Sequence, residues 1–162
     1  MAGNNLQLDD FDTHILQLMQ VSNRITSEQI AEKIGLSAAA VQRRIKRLRE
    51  TKVISADVSI VNPKLLNRPL TLVVQVTLER ERADLMDAFK KEMKANPLVQ
   101  QCYYVTGSSD FILIITASDM DDYEAFTRSC FFDNSNIRNF QTNVVMDPVK
   151  VGLTVPIVSR KL

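Results

Sequence analysis

A chain of 162 residues, 45% of them hydrophobic, can bury one ordinary core or two small ones and is not a disordered chain. Its 20 basic and 19 acidic side chains leave a formal charge of +1, which excludes any argument for a polyanionic partner from net charge alone. One histidine, four glycines and no Cys-x-x-Cys, P-loop or nucleophile elbow leave little from which to build an enzyme, and no metal or cofactor is expected.

No apolar run approaches the roughly 20 residues that cross a bilayer. The polar first residues lead into no apolar core, which argues against a signal peptide, so the expected location is the cytoplasm. Cys102 and Cys130, flanked by apolar or aromatic residues, read as buried reduced thiols, with a disulfide left open.

In chain order, the first periodic segment runs from Asp9 to Val21. Phe11, Ile15, Leu18 and Met19 form one helical stripe, and Asp9, Asp10 and Asp12 fall in the first turn, where the helix dipole favours acids. Asn23 and Arg24 interrupt the pattern. Thr26-Ser-Glu-Gln29 has capping-box spacing and starts a short helix burying Ile30, Ala31 and Ile34, ended by Gly35. Ser37 is the natural N-cap of a third helix, residues 37–50, in which Val41, Ile45 and Leu48 form the stripe.

Six cations (Arg43, Arg44, Lys46, Arg47, Arg49, Lys52) and one acid, Glu50, lie between Val41 and Lys52. Alone, this run fits a solvated basic face as well as a nucleic-acid contact. The short helix and tight turn before it, with the first helix as third wall, predict a helix-turn-helix and favour DNA. Arg43 and Arg47, with Gln42, are the candidate base readers, arginine to guanine and glutamine to adenine. Arg44, Lys46 and Arg49 are placed on the backbone. Ser37, Ala38 and Ala39 allow close approach; the alanine methyls suit thymine and an ordinary first turn equally well.

Val53 to Val61 is β-branched and predicts a short strand or hairpin. Asn62-Pro63 and Asn67-Arg68-Pro69 read as a linker. The domains are therefore 1–61, the helix-turn-helix with its following strand; 62–68, linker; and 69–162, a second domain with a C-terminal tail. In that domain a strand at Leu70–Leu78, a helix at Arg82–Ala95 with Leu85, Ala88, Phe89 and Met93 inward, and a strand at Leu98–Val105 are expected. The pattern repeats as strand Phe111–Thr116, helix Asp119–Phe131 with Met120, Tyr123, Thr127 and Cys130 inward, and strand Ile137–Met146. Two such units in series predict an α+β, ferredoxin-like βαββαβ fold. Leu72-Val73-Val74 and Phe111–Ile115 lack the alternation of a half-solvated strand. A second copy is therefore expected to cover the helix-free face, making a homodimer that presents two basic helices to a pseudo-palindromic site.

The whole order resembles the Lrp/AsnC (leucine-responsive, feast/famine) transcriptional regulators of bacteria and archaea. The resemblance is carried by Leu8-Asp-Asp-Phe-Asp-Thr-His-Ile-Leu16, Ile30-Ala-Glu-Lys-Ile-Gly-Leu-Ser37, Arg44-Ile-Lys-Arg-Leu48 and Val53-Ile54. In the second half it is carried by Val105-Thr-Gly-Ser-Ser-Asp110, Asp119-Met-Asp-Asp-Tyr-Glu-Ala-Phe126 and Val144-Val-Met146. It implies regulation of transcription on double-stranded DNA, and dimers assembling into tetramers or octamers. It also implies a small amino-acid effector held between dimers by Tyr104, Thr106, Gly107, Ser108, Ser109 and Asp110, with Gln141, Thr142 and Val144. Read without the family, Gly-Ser-Ser-Asp is an ordinary hairpin turn.

Two positions depart from the pattern. Ser109 stands where many relatives have an aromatic residue, so effector identity does not carry over. Lys52 stands where they usually have glycine. RNA binding through the sheet is disfavoured, because adjacent Tyr103 and Tyr104 must point to opposite faces and no basic-Gly-aromatic strand motif is present. A ligand-sensing or assembly module of the same fold, without amino-acid response, is the alternative.

Overall fold

The computed structural model describes residues 7–157, which fall into two units: the chain up to Ile60 together with Val151 onward, and Val61–Lys150. In the first unit each helix begins where a side chain closes its first turn. Asp9 caps α1 (Asp10–Val21), accepting from the Asp12 amide at 2.9 Å while the Asp12 carboxylate accepts from the Asp9 amide. Thr26 and Gln29 form the same reciprocal pair at α2 (Ser27–Ile34), and Ser37 Oγ accepts from the Ala40 amide at α3 (Ala38–Glu50). Gly35 ends α2 at φ 72°, left-handed backbone that a residue without Cβ adopts at no steric cost. The helices close over Ile15, Leu16, Ile30, Ala31, Val41, Ile45 and Leu48.

The end of α3 is strained. Lys52 follows the C-cap at φ 60°, the left-handed region, and this is the residue that replaces the family's usual glycine. Lys52→Gly is expected to stabilise the helical unit by about 1 kcal/mol. Urea unfolding checks this: a midpoint that falls instead would show that the lysine side chain contributes more than its backbone costs.

Two expectations change in this unit. The strand expected over Val53–Val61 does not form a ladder. The Ile54 amide donates to Leu48 O in the turn, and beyond it the segment has no strand partner among the described residues, with Val58, Ile60 and Val61 exposed. The tail, expected with the second domain, joins the first unit. The Gln20 side chain donates to Val155 O at 3.0 Å and accepts from Val155 N at 2.7 Å. Gln17 Nε2 donates to Ile157 O at 3.3 Å, and Ile157 packs against the helical core. Arg160 and Lys161, the expected basic end, lie outside the described residues.

The second unit opens with a 3-10 turn, Pro63–Leu66, and continues β1 (Leu70–Leu78), α4 (Ala83–Ala95), β2 (Val99–Tyr104), β3 (Phe111–Ala117), α5 (Met120–Thr127), a π-turn (Arg128–Phe132) and β4 (Ile137–Val144). The sheet runs β2-β3-β1-β4 with antiparallel neighbours throughout, the βαββαβ arrangement expected. Leu72, Val74, Val76, Phe111, Leu113 and Ile115 are buried with Met86, Phe89, Met93, Phe126 and Phe131 from the helical layer. Ala88 is exposed and Met86 takes its place, while Met120 is half exposed. The π-turn has its own effect: its wider turn brings both Cys130 and Phe131 inward, where a continuing α-helix would bury Cys130 alone of the two. Burial alternates along β1 and through most of β3, so the apolar residues of the helix-free face, Val73, Ile112 and Ile114, are only partly covered. Both cysteines are free thiols, and burial pushes the pKa of each up. Among the described residues no helix is long and apolar enough to cross a membrane.

Candidate nucleic-acid interface and effector loop

One face of α3 borders an open groove of about 590 Å³, lined by Thr26 and Ser27 from the start of α2 and by Ala39, Gln42, Arg43, Lys46 and Arg49. Gln42 and Arg43 are exposed side by side, and Ala39 leaves room beside them. Ala38 instead packs against the helical core, so Ala39 is the alanine free to approach a methyl group; Ser37 is spent on the cap. Thr26 and Ser27 were not read from the sequence as part of this surface, although the capping box that placed α2 also fixes where they point.

The cations of α3 differ in what holds them. Arg44 Nη1 donates to both carboxylate oxygens of Asp9, at 2.9 and 2.7 Å, and to Asp12 Oδ1 at 2.9 Å, with its guanidinium 5.4 Å from the Phe11 ring centre. Arg47 Nη2 donates to Asp12 Oδ2. Arg49 pairs with Asp57 at 2.8 Å, and Lys46 lies 3.8 Å from Glu50. Of the six cations, only Arg43 and Lys52 have no ionic partner among the described residues. The hydrogen bonds that Arg44 donates to Asp12 and then to Asp9 hold it above its usual pKa. Burial pushes Asp9 up, but the Asp12 amide and Arg44 outweigh it and keep the Asp9 carboxyl below the ordinary range.

The loop between β2 and β3 is clipped to the end of β1. The Asp110 amide donates to Val76 O at 2.9 Å, the Leu78 amide donates to Asp110 Oδ2 at 2.6 Å, and the Val105 amide donates to Asp110 O at 2.9 Å. Gly107 sits at φ 143°, which favours glycine, with Thr106 and Ser108 exposed and Ser109 buried. Tyr104 lies on the helix side, its ring 5.4 Å from that of Phe111 and under Lys90 Nζ, whereas Tyr103 takes the opposite face beside Gln101. Gln141, Thr142 and Val144 are on β4, the far edge strand, paired with Gln75, Val74 and Leu72. Thr142 Oγ1 is hydrogen-bonded to the Tyr123 hydroxyl at 2.5 Å.

The expected effector residues flank β1. The loop meets it at Val76–Leu78, whereas Gln141, Thr142 and Val144 on β4 are paired with Gln75, Val74 and Leu72. Gln141 therefore comes within one position of the loop's contact, and Val144 lies four to six positions, about 13–20 Å, back along the strand. An open groove of about 840 Å³ beside α5 and Phe140 includes none of the nine.

A DNA-binding regulator carrying a separate sensing unit is the class that these two halves define. The AsnC-type helix-turn-helix domain matches residues 8–49, and the Lrp/AsnC ligand binding domain matches residues 71–155. The chain is 54% identical over 152 residues to an uncharacterized HTH-type transcriptional regulator of Sinorhizobium fredii, covering 94% of this chain and 90% of that one. It is 32% identical over 146 residues to the leucine-responsive regulatory protein of Haemophilus influenzae, covering 90% and 88%. Among solved structures, a transcriptional regulator of Neisseria meningitidis in complex with L-Met superposes with TM-score 0.86 at 25% identity, over 93% of this chain and 97% of that one. The chain belongs to the Lrp/AsnC family: it is a transcriptional regulator with a helix-turn-helix and a ligand-binding domain, and not an enzyme.

Proposed function

We propose that the protein binds specific DNA sites as a homodimer or larger assembly, in the cytoplasm, and that a small amino acid modulates this by binding between copies. The observation that carries the DNA half is the groove beside α3, in which Gln42 and an unpaired Arg43 stand over the cap of α2. Arg43 offers two parallel donors to guanine and Gln42 a donor–acceptor pair to adenine, while Lys46 and Arg49 lie within reach of phosphates. Arg43→Ala is expected to weaken specific binding by about 1–3 kcal/mol and binding to random duplex much less. Fluorescence anisotropy on both duplexes checks this; equal losses would assign Arg43 to the backbone.

The effector half rests on the distance along β1 between Thr106–Asp110 and Val144. A second copy that sets its own β4 against this loop supplies what one chain leaves apart. The solved Neisseria regulator, a complex with L-Met, supports an amino acid as the ligand class. A ligand shifts assembly only through differential affinity for the assembly states. Sedimentation velocity with a panel of free amino acids tests this. A shift in the dimer-to-octamer balance with one of them supports the reading, and a species indifferent to all of them favours the same fold without amino-acid response.

A further inference from the structure

Among the described residues Asp12 is the only charged side chain that the fold removes wholly from water, at 0% exposure. A buried carboxylate persists only when its oxygens are paired. Here Oδ1 accepts from Arg44 and Oδ2 from Arg47, with the Asp9 amide at 3.3 Å as a weaker third donor. Both arginines come from α3, three positions apart and so on one face, the face that meets α1. Arg43, one position before Arg44, lies on the other side of Arg47; it is exposed and has no ionic partner among the described residues.

An arginine donating to a buried carboxylate is not free to swing onto a base edge, because leaving would strand an uncompensated charge. The two contacts also lock the rotation of α3 about its own axis. We infer that Asp12 is a positioning residue for DNA recognition: it withdraws Arg44 and Arg47 from the DNA contact set and sets the rotation of α3, leaving Gln42 and Arg43 at the base edges. This rests on the placement of α3 in the groove proposed above.

The test uses the full-length protein, anisotropy-monitored salt titration, and two duplexes, one enriched by selection from a random pool and one of random sequence. Asp12→Asn keeps the shape and removes the charge that holds Arg47. Its salt slope is expected to steepen by about one as Arg47 reaches a phosphate, and its preference for the selected duplex to fall about tenfold. Arg47→Ala alone, which leaves Arg44 on Asp12, is expected to leave the slope unchanged, yet in the Asp12→Asn background to return the slope to the native value.

The inference is overturned if Arg47→Ala in the otherwise native protein lowers the slope by about one. It is equally overturned if Asp12→Asn loses affinity on both duplexes with no change of slope. Should Asp12→Asn not fold, the Arg47→Ala single variant decides the matter. A native protein indifferent to salt and to Arg43→Ala would instead overturn the groove placement itself.

Discussion

Leu48→Ala is expected to abolish DNA binding at physiological temperature while leaving the sheet unit folded. Leu48 is fully buried where α3 closes on the other two helices, so truncation removes its transfer energy and leaves a cavity, together about 2–5 kcal/mol. The helical unit is small, and units of that size bury a modest fraction of their surface and fold with little margin. The loss therefore falls on a unit that cannot absorb it. The sheet unit keeps its own core around Leu72, Phe89, Phe111 and Leu113, a cluster to which Leu48 does not belong. Thermal unfolding followed by circular dichroism should show one early transition moved down and a later one unchanged. A single transition that moves as a whole would mean that the two units melt together.

The helices were legible because their signals are local. Thr26 with Gln29, Gly35 and Ser37 each specify a boundary within a few residues of themselves, and the structure uses each of them in that way. What the sequence hid depends on partners far along the chain. Asp9, Asp10 and Asp12 are adequately explained by the dipole of α1, so nothing local asks for Arg44 or Arg47, more than 30 residues on. The inward set of α4 was missed by one position, Ala88 for Met86, because alanine is neutral to burial and Phe89 and Met93 fit either rotation. For α5 the α-helical period fails outright at the π-turn. The β-branched run at Val53–Val61 has strand propensity, but a strand also needs an edge to pair with.

The loop at Thr106–Asp110 shows how one residue serves structure and leaves room for function. Asp110 has one carboxylate oxygen committed to the Leu78 amide and is only partly buried, so the loop is already fixed before any ligand arrives. Pre-organised amides and hydroxyls bind with less ordering cost than a mobile loop. On the far edge, Thr142 is held by the hydroxyl of Tyr123, whose pKa burial pushes up. Each of these contacts is made within one chain, so under the function proposed above the adjustable quantity is the distance between copies.

For the homodimer proposed above, Ile114→Lys is expected to give a folded monomer and to weaken DNA binding at least about a hundredfold. Ile114 lies at the centre of the helix-free face, paired with Val73 on β1 and Gln101 on β2, with Ile112 two positions away. Around this apolar centre stand Thr71, Gln75, Tyr103, Gln141 and Asn143, all uncharged, and depletion of charge at the centre of a patch is the compositional mark of a protein interface. A lysine there is tolerated in the monomer, because the position is only partly covered by the chain's own atoms. Facing its own symmetry copy, it would bury two like charges without partners, a cost that dimerisation cannot meet. Loss of the dimer leaves a single α3 per particle, so the second half-site no longer binds at the high effective concentration that linkage provides. Sedimentation velocity and anisotropy at matched concentrations read both effects. Retention of the dimer would remove the sheet face from the assembly, and a monomer with native DNA affinity would remove the two-helix mode of binding.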